Sequence, residues 1–199
     1  MAAKARIAYT FIGDSASAIT SSNTGTTVLP ASNVITDQIQ KVWRTDNATN
    51  PKWIMFNLGS AQAITVVAIF NHTVPNCTVT IKADSSNGAW GAGTIIDTFT
   101  WQAYQMVKFI ASTNLQWWRI EFGTTSNFDV GRIILDGYTE FTTNPTESYR
   151  KQRIDPSLSD GPFGAQVPSL QRRPYWTMEF ALTWISATFH DTLIPIYDT

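Results

Sequence analysis

The sequence contains few of the residues from which catalytic and metal centres are usually built. Its 199 residues include one cysteine and two histidines, too few for a three-histidine or cysteine-rich zinc site. The single cysteine, Cys77, excludes an intramolecular disulfide bond. Because Cys77 alternates with Val79 and Ile81 on one face of a predicted strand, we expect it to be a small, buried hydrophobic residue.

Recognisable catalytic motifs are also missing. No serine lies in a G-x-S-x-G sequence, and neither His72 nor His190 has a nearby serine and aspartate that would suggest a triad. The glycine-rich segment 88–93 lacks the Lys-Ser/Thr of a phosphate-binding loop, so we interpret it as a flexible turn that carries Trp90. The sequence therefore predicts a protein that is not an enzyme.

Long apolar runs and an excess of one charge are absent as well. Residues 1–6 lack the apolar core of a signal peptide, and no segment approaches the length of a membrane span. The formal net charge is −1, which gives no general attraction to nucleic acid or to anionic membranes. We expect synthesis in a cytoplasm, no membrane partner and no nucleic-acid partner.

Aromatic residues and alternating apolar patterns are what the sequence does contain. Trp, Phe and Tyr make up 13% of the chain, and eight tryptophans exceed the needs of one small core, so some are expected at an interface. In segment 117–122, Trp118, Ile120 and Phe122 alternate with Trp117, Arg119 and Glu121, as in a β-strand. Further strands are predicted at 53–59, 64–70 and 130–135, which together indicate an all-β sandwich or barrel.

The pattern changes near residue 142, and we divide the chain into three parts. Residues 5–142 are predicted to form the sandwich. Residues 143–174 carry a proline at every sixth position from Pro156 to Pro174 and an excess of basic residues, which predicts an extended arm without regular structure. Residues 175–199 are predicted to form a strand up to Trp184 and a short helix from Ser186 to Ile194. We expect this strand to pair with a neighbouring subunit rather than with the sandwich edge.

The order of several segments resembles a known family. Trp43-Arg44-Thr45, a strand closing on Leu58-Gly59, the apolar strand 64–70 and the late strand 117–122 together are similar to the galactose-binding-like β-sandwich of discoidin and coagulation factor type C domains. Segments 18–22 and 29–34 are similar to a branch found in tailed-bacteriophage virion and tail proteins. The resemblance covers residues 7–141. It implies an antiparallel jelly-roll β-sandwich.

The resemblance also implies a function and a location. We expect a structural virion protein of a tailed phage, in the tail, baseplate or neck, whose partners are other virion proteins and copies of itself. Two alternatives remain: a carbohydrate-binding module that recognises host surface glycans, and an accessory domain of an enzyme. The residues expected to contact other subunits are Arg150, Arg153, Arg172, Arg173, Trp176 and Trp184.

Two small-ligand sites can be suggested from the same residues. A sugar site would combine Trp43, Arg44, Asp46, Asn47 and Trp90; the alternative is that Trp43 plugs the end of the sandwich. The resemblance implies a structural calcium site, for which Asp46 and Glu140 are the matching carboxylates. Calcium needs six or more oxygens, and the sequence offers only these two side chains. We therefore favour two ordinary loop carboxylates and no cofactor.

Overall fold

The computed structural model describes residues 6–23, 29–46, 50–88, 90–91, 94–103 and 105–141, together with the backbone of four strands between residues 149 and 180. The chain divides into two compact units. One unit is Ala8–Thr139, and the other combines Met1–Ile7 with Glu140–Thr199. No helix in the described part of the chain is long and apolar enough to cross a membrane.

The first unit is built from strands. In the described residues these are β2 (Ala18–Ser21), β3 (Trp43–Arg44), β4 (Lys52–His72), β5 (Thr78–Asp84), β6 (Ile95–Thr100), β7 (Gln105–Phe122) and β8 (Asp129–Asp136), with 3₁₀ turns at Ile12–Ser15 and Ala31–Ile35. Two short strands, β1 (Arg6–Ile7) and β9 (Thr139–Glu140), pair with each other.

The strands hydrogen-bond in the order β3-β8-β4-β7-β5-β6, and β2 pairs with β4. The two long strands, β4 and β7, each run through both layers of the sandwich. Residues 52–57 of β4 pair with the end of β7, whereas residues 62–70 pair with its beginning and with β8. The register shifts between Asn57 and Gln62, where Gly59 has φ 77°, a left-handed conformation that glycine adopts without a steric penalty. The two strands predicted at 53–59 and 64–70 are therefore halves of one strand.

The core lies between the two layers and confirms the predicted all-β sandwich. Trp118, Ile120 and Phe122 of β7 are fully buried, as their alternation predicts. They pack in one cluster with the apolar residues of β4, β5 and β8. On the opposite face of the same strand lie Arg119 and Glu121. Burying an apolar side chain of this size contributes roughly 1.5–3 kcal/mol.

The C-terminal unit differs from its prediction. Strand β10 (Tyr149–Ile154) pairs antiparallel with β13 (Tyr175–Phe180), and β11 (Leu158–Asp160) pairs antiparallel with β12 (Val167–Leu170). The prediction that this segment lacks regular structure is wrong. Residues 149–154 contain neither proline nor glycine, so nothing in their chemistry prevents a strand.

Strand β13 pairs with β10 of its own chain rather than with the sandwich edge, and pairing with a neighbouring subunit stays a prediction. The predicted helix at 186–194 lies outside the described residues. The boundaries at 5–142, 143–174 and 175–199 stay predictions.

Candidate ligand-binding site

A small polar pocket lies at one end of the sandwich. Its volume is about 230 Å³, and its lining residues come from three places in the sequence: Arg44, Thr73, Asn127, Phe128 and Asp129. The sheet register brings them together. Arg44 on β3 pairs with Asp129 on β8, and β4 ends at His72, opposite Val130 of β8, so that Thr73 reaches the same place.

The most prominent feature of the pocket is an exposed ion pair. Arg44 donates from Nε to Asp129 Oδ1 and from Nη2 to Asp129 Oδ2, both at 2.7 Å. The Arg44 side chain is 58% exposed, and that of Asp129 is 21% exposed. These hydrogen bonds and the Asp129 charge raise the pKa of Arg44. A guanidinium has five N–H donors, so this fork leaves donors directed at solvent.

The rest of the pocket wall adds further hydrogen-bonding groups. The Thr73 hydroxyl oxygen accepts a 2.9 Å hydrogen bond from the backbone of Asp129, which leaves its O–H group able to donate. Asn127 Oδ1 accepts a 3.1 Å hydrogen bond from Lys52 Nζ, so its amide nitrogen can serve as a donor. The pocket thus presents several donors together with a carboxylate acceptor, an arrangement suited to a hydroxyl-bearing ligand.

Phe128 anchors the loop that carries these groups. Its side chain is 2% exposed and meets Phe122 and Trp43 edge-on, with ring centroids 4.9 and 5.8 Å away. Thr45 fixes the backbone at the same residue, because Phe128 N donates to Thr45 Oγ1 at 2.9 Å and Thr45 N donates to Phe128 O at 3.1 Å. The loop is therefore held by core packing and by hydrogen bonds before any ligand arrives.

The structure separates the residues predicted to bind sugar. Arg44 lines the pocket, and Asp46 is exposed just after β3. Asn47 lies outside the described residues. The assignment of Trp43 as a sugar-binding residue is wrong, because Trp43 is fully buried and packs on Phe128. Adjacent residues of a strand face opposite ways, so when Arg44 points to solvent Trp43 must point into the core.

Trp90 belongs to another surface, the outer face of β4, β7 and β5. Its backbone carbonyl accepts a 2.8 Å hydrogen bond from Lys82 Nζ. The Arg119 guanidinium carbon lies 5.8 Å from the Trp90 ring and 4.5 Å from the ring of Trp53. The predicted sugar cluster is therefore not assembled as a unit, since Trp90 is clamped beside Arg119 rather than beside Arg44.

On that outer face the charged side chains form ion pairs with one another. Glu121 lies 3.0 Å from Lys82 Nζ and 2.8 Å from Arg119 Nε, and all three side chains are between 10% and 15% exposed. Burial lowers the pKa of Arg119, and the charge of Glu121 opposes this shift. These groups stabilise one another and leave little polar surface for a ligand.

The two carboxylates considered for calcium lie in different electrostatic surroundings, and a calcium site at these residues stays untested. Glu140 Oε2 lies 3.1 Å from Arg6 Nε. Burial lowers the pKa of Lys52, and the charge of Asp46 opposes this shift. Within the described residues no three His, Cys, Asp or Glu side chains come together as metal ligands do. A hard cation needs six or more oxygen ligands.

Sequence reasoning missed Thr73, Asn127, Asp129 and Lys52. The polar turn at 123–127 predicts only a loop, and nothing local pairs Arg44 with a carboxylate 85 positions away. That partnership depends on the β3–β8 register. Of the residues expected to contact other subunits, Arg150 and Arg153 lie in β10 and Trp176 lies in β13. Arg172, Arg173 and Trp184 lie outside the described residues.

Comparison with known proteins supports the fold. Chitosan-binding module 2 from a Paenibacillus sp. IK-5 chitosanase/glucanase, solved with chitotriose, has a TM-score of 0.55 at 19% identity, covering 63% of this chain and 99% of that module. Module 1 of the same enzyme gives 0.54 at 19% identity, covering 63% and 98%. A Ruminococcus gnavus fucosidase, solved with fucose, gives 0.52 at 17% identity, covering 61% of this chain but only 25% of the fucosidase.

These similarities establish that the chain contains a galactose-binding-like β-sandwich, as the sequence resemblance predicts. No protein-family model matches the sequence, and the search of curated proteins gives no match. A structural role in a phage tail stays a prediction.

Proposed function

We propose that this protein is a carbohydrate-binding module that holds a sugar in the Arg44–Asp129 pocket without changing it chemically. The observation that carries this proposal is the exposed fork between these two side chains, in a pocket whose wall combines the polar side chains of Thr73 and Asn127 with Phe128. Hydroxyl groups both donate and accept hydrogen bonds, and the fork offers donors and an acceptor side by side.

The charge and size of the pocket limit which ligands it can bind. Asp129 neutralises Arg44, so the pocket does not provide an isolated positive charge for an anion. A volume of about 230 Å³ lies below the roughly 300–1,000 Å³ typical of sites for drug-sized ligands. The arrangement suits a single sugar ring better than an extended chain.

The similar solved proteins support this choice over a purely structural role. The chitosan-binding module binds chitotriose, and the fucosidase was solved with fucose. Both share the sandwich fold with this chain. Location on a phage virion, with virion proteins and copies of itself as partners, rests on the sequence resemblance alone. On such a particle, sugar binding would serve attachment to a host surface.

The proposal can be tested with a glycan array followed by titration calorimetry of any sugar that binds. Arg44→Gln and Asp129→Asn should each weaken binding by about tenfold or more, because each removes one side of the fork. The matched controls are Lys108→Gln and Asp97→Asn, which break another partly exposed ion pair of 3.2 Å. Equal affinity in the pocket variants and the controls, or no sugar bound by the wild-type protein, would contradict the proposal.

A further inference from the structure

Lys52 is the most unusual charged residue in the described part of the chain. It is the first residue of β4 and is fully buried, whereas lysine is almost never fully buried unless it is paired. Burial lowers the pKa of Lys52, with the charge of Asp46 opposing the shift. A buried ammonium group needs oxygen atoms around it, because enclosing an unpaired charge costs a large amount of free energy.

The contacts of Lys52 connect two segments that meet at the pocket. Its Nζ donates a 3.1 Å hydrogen bond to Asn127 Oδ1, in the loop that contains Phe128 and Asp129. The charge of Asp46, directly after the strand that contains Arg44, favours the protonated form of Lys52. One buried cation is therefore hydrogen-bonded to the loop before β8 and is influenced by a charge on the chain that leaves β3.

We propose that the Lys52 ammonium group, rather than a bound metal ion, is the cation that holds the pocket end of the sandwich in its ligand-binding arrangement. Lys52 acts as a positioning residue: it orients the Asn127 side chain and steadies the loop that presents Asp129 to Arg44. As far as sugar affinity is concerned, this inference rests on the proposed function. The effect of Lys52 on how firmly the loop is held does not depend on the proposed function.

The same contacts bear on whether calcium binds at this end of the sandwich. Glu140, one of the two carboxylates suggested for calcium, lies 3.1 Å from Arg6 Nε, and the charge of the other, Asp46, favours the protonated form of Lys52. Because Asn127 Oδ1 already accepts a hydrogen bond from the Lys52 ammonium group, a divalent ion at this place would meet electrostatic repulsion. We therefore expect added calcium and chelators to leave both stability and sugar binding unchanged.

The test uses the full chain and two methionine variants. Lys52→Met keeps the length of the side chain and removes its charge. Lys82→Met is the matched control, because Lys82 is also nearly buried but contacts Glu121 and Trp90 on the outer face. We expect Lys52→Met to weaken sugar binding by about tenfold and Lys82→Met to leave affinity unchanged even where it lowers stability.

Two further measurements separate positioning from general destabilisation. The effects of Lys52→Met and Asn127→Ala on affinity should be non-additive, because the lysine acts through that side chain. Amide hydrogen exchange at residues 127–129 should speed up in Lys52→Met and not in Lys82→Met. If Lys52→Met does not fold, Asn127→Ala should still show the affinity loss and the faster exchange with the lysine in place.

The outcomes are distinguishable. Normal affinity in a folded Lys52→Met, unchanged exchange at 127–129, or a melting temperature that rises with calcium and falls with a chelator would each overturn the inference. If the wild-type protein binds no sugar, the proposed function fails, and the exchange and calcium measurements still decide the role of Lys52.

Discussion

Two regions of the sandwich combine aromatic rings with paired charges, and they do so in opposite ways. At the pocket end the rings of Trp43 and Phe128 are buried, while the Arg44–Asp129 pair is open to solvent. On the outer face of β4, β7 and β5 the charges around Glu121 are nearly buried, while the rings beside them are only partly covered.

The difference shows where a ligand can be recognised. Charges that are enclosed and already paired contribute to the folded state and have few hydrogen bonds left to offer. An exposed pair contributes little to stability but keeps donors and acceptors available. Aromatic content alone therefore does not locate a binding site in this protein.

The tryptophans of the two regions give the largest expected contrast. Trp43→Ala should lower the free energy of unfolding by about 3–5 kcal/mol, because it empties a fully enclosed site against Phe128. Trp90→Ala removes a half-buried ring and should cost about 1 kcal/mol. Denaturant titration measures both. Equal losses would show that the two regions do not differ as described.

Substitution of the charged residues should give the opposite order, with the larger loss of stability on the outer face. Glu121→Gln leaves Lys82 and Arg119 nearly buried without their shared partner, and should cost about 3 kcal/mol while sugar affinity stays at the wild-type level. Asp129→Asn should leave the melting temperature close to that of the wild type, since its partner is mostly exposed. A large loss of stability in Asp129→Asn with none in Glu121→Gln would refute this assignment.

A smaller, pH-dependent effect is expected beside the pocket. Burial lowers the pKa of His72, and the backbone of Gln102 partly opposes the shift. The unfolded chain therefore binds the proton more readily, so the contribution to stability is present above a pH of about 6.5 and is lost as the pH falls below it. His72→Gln should flatten this part of the stability profile. An unchanged profile in His72→Gln would assign the slope to other groups.

Much of the sandwich could be predicted because strand alternation is a local property. The pattern around Trp118, Ile120 and Phe122 correctly predicts which side chains enter the core. The same rule could have excluded Trp43 from the sugar site once Arg44 was placed outside. Alternation does not show where a strand continues through a bend, so β4 was predicted as two strands.

The pocket itself depends on contacts between distant parts of the sequence. Arg44 meets Asp129 and Lys52 meets Asn127 only through the sheet register and the loop before β8. In the C-terminal unit, the regular proline spacing from Pro156 onward led to a prediction of no regular structure, although residues 149–154 just before it form a strand. The pairing of β10 with β13 is again a long-range contact, which local composition cannot predict.

The most direct test of sugar binding at the pocket is calorimetric titration of one array-selected sugar into Asp129→Asn and Asp97→Asn. Both substitutions remove a single carboxylate charge from a partly exposed ion pair. We predict that Asp129→Asn loses about tenfold or more in affinity and that Asp97→Asn binds as the wild type does. Wild-type affinity in Asp129→Asn would show that the sugar is held elsewhere, and would contradict the proposed site.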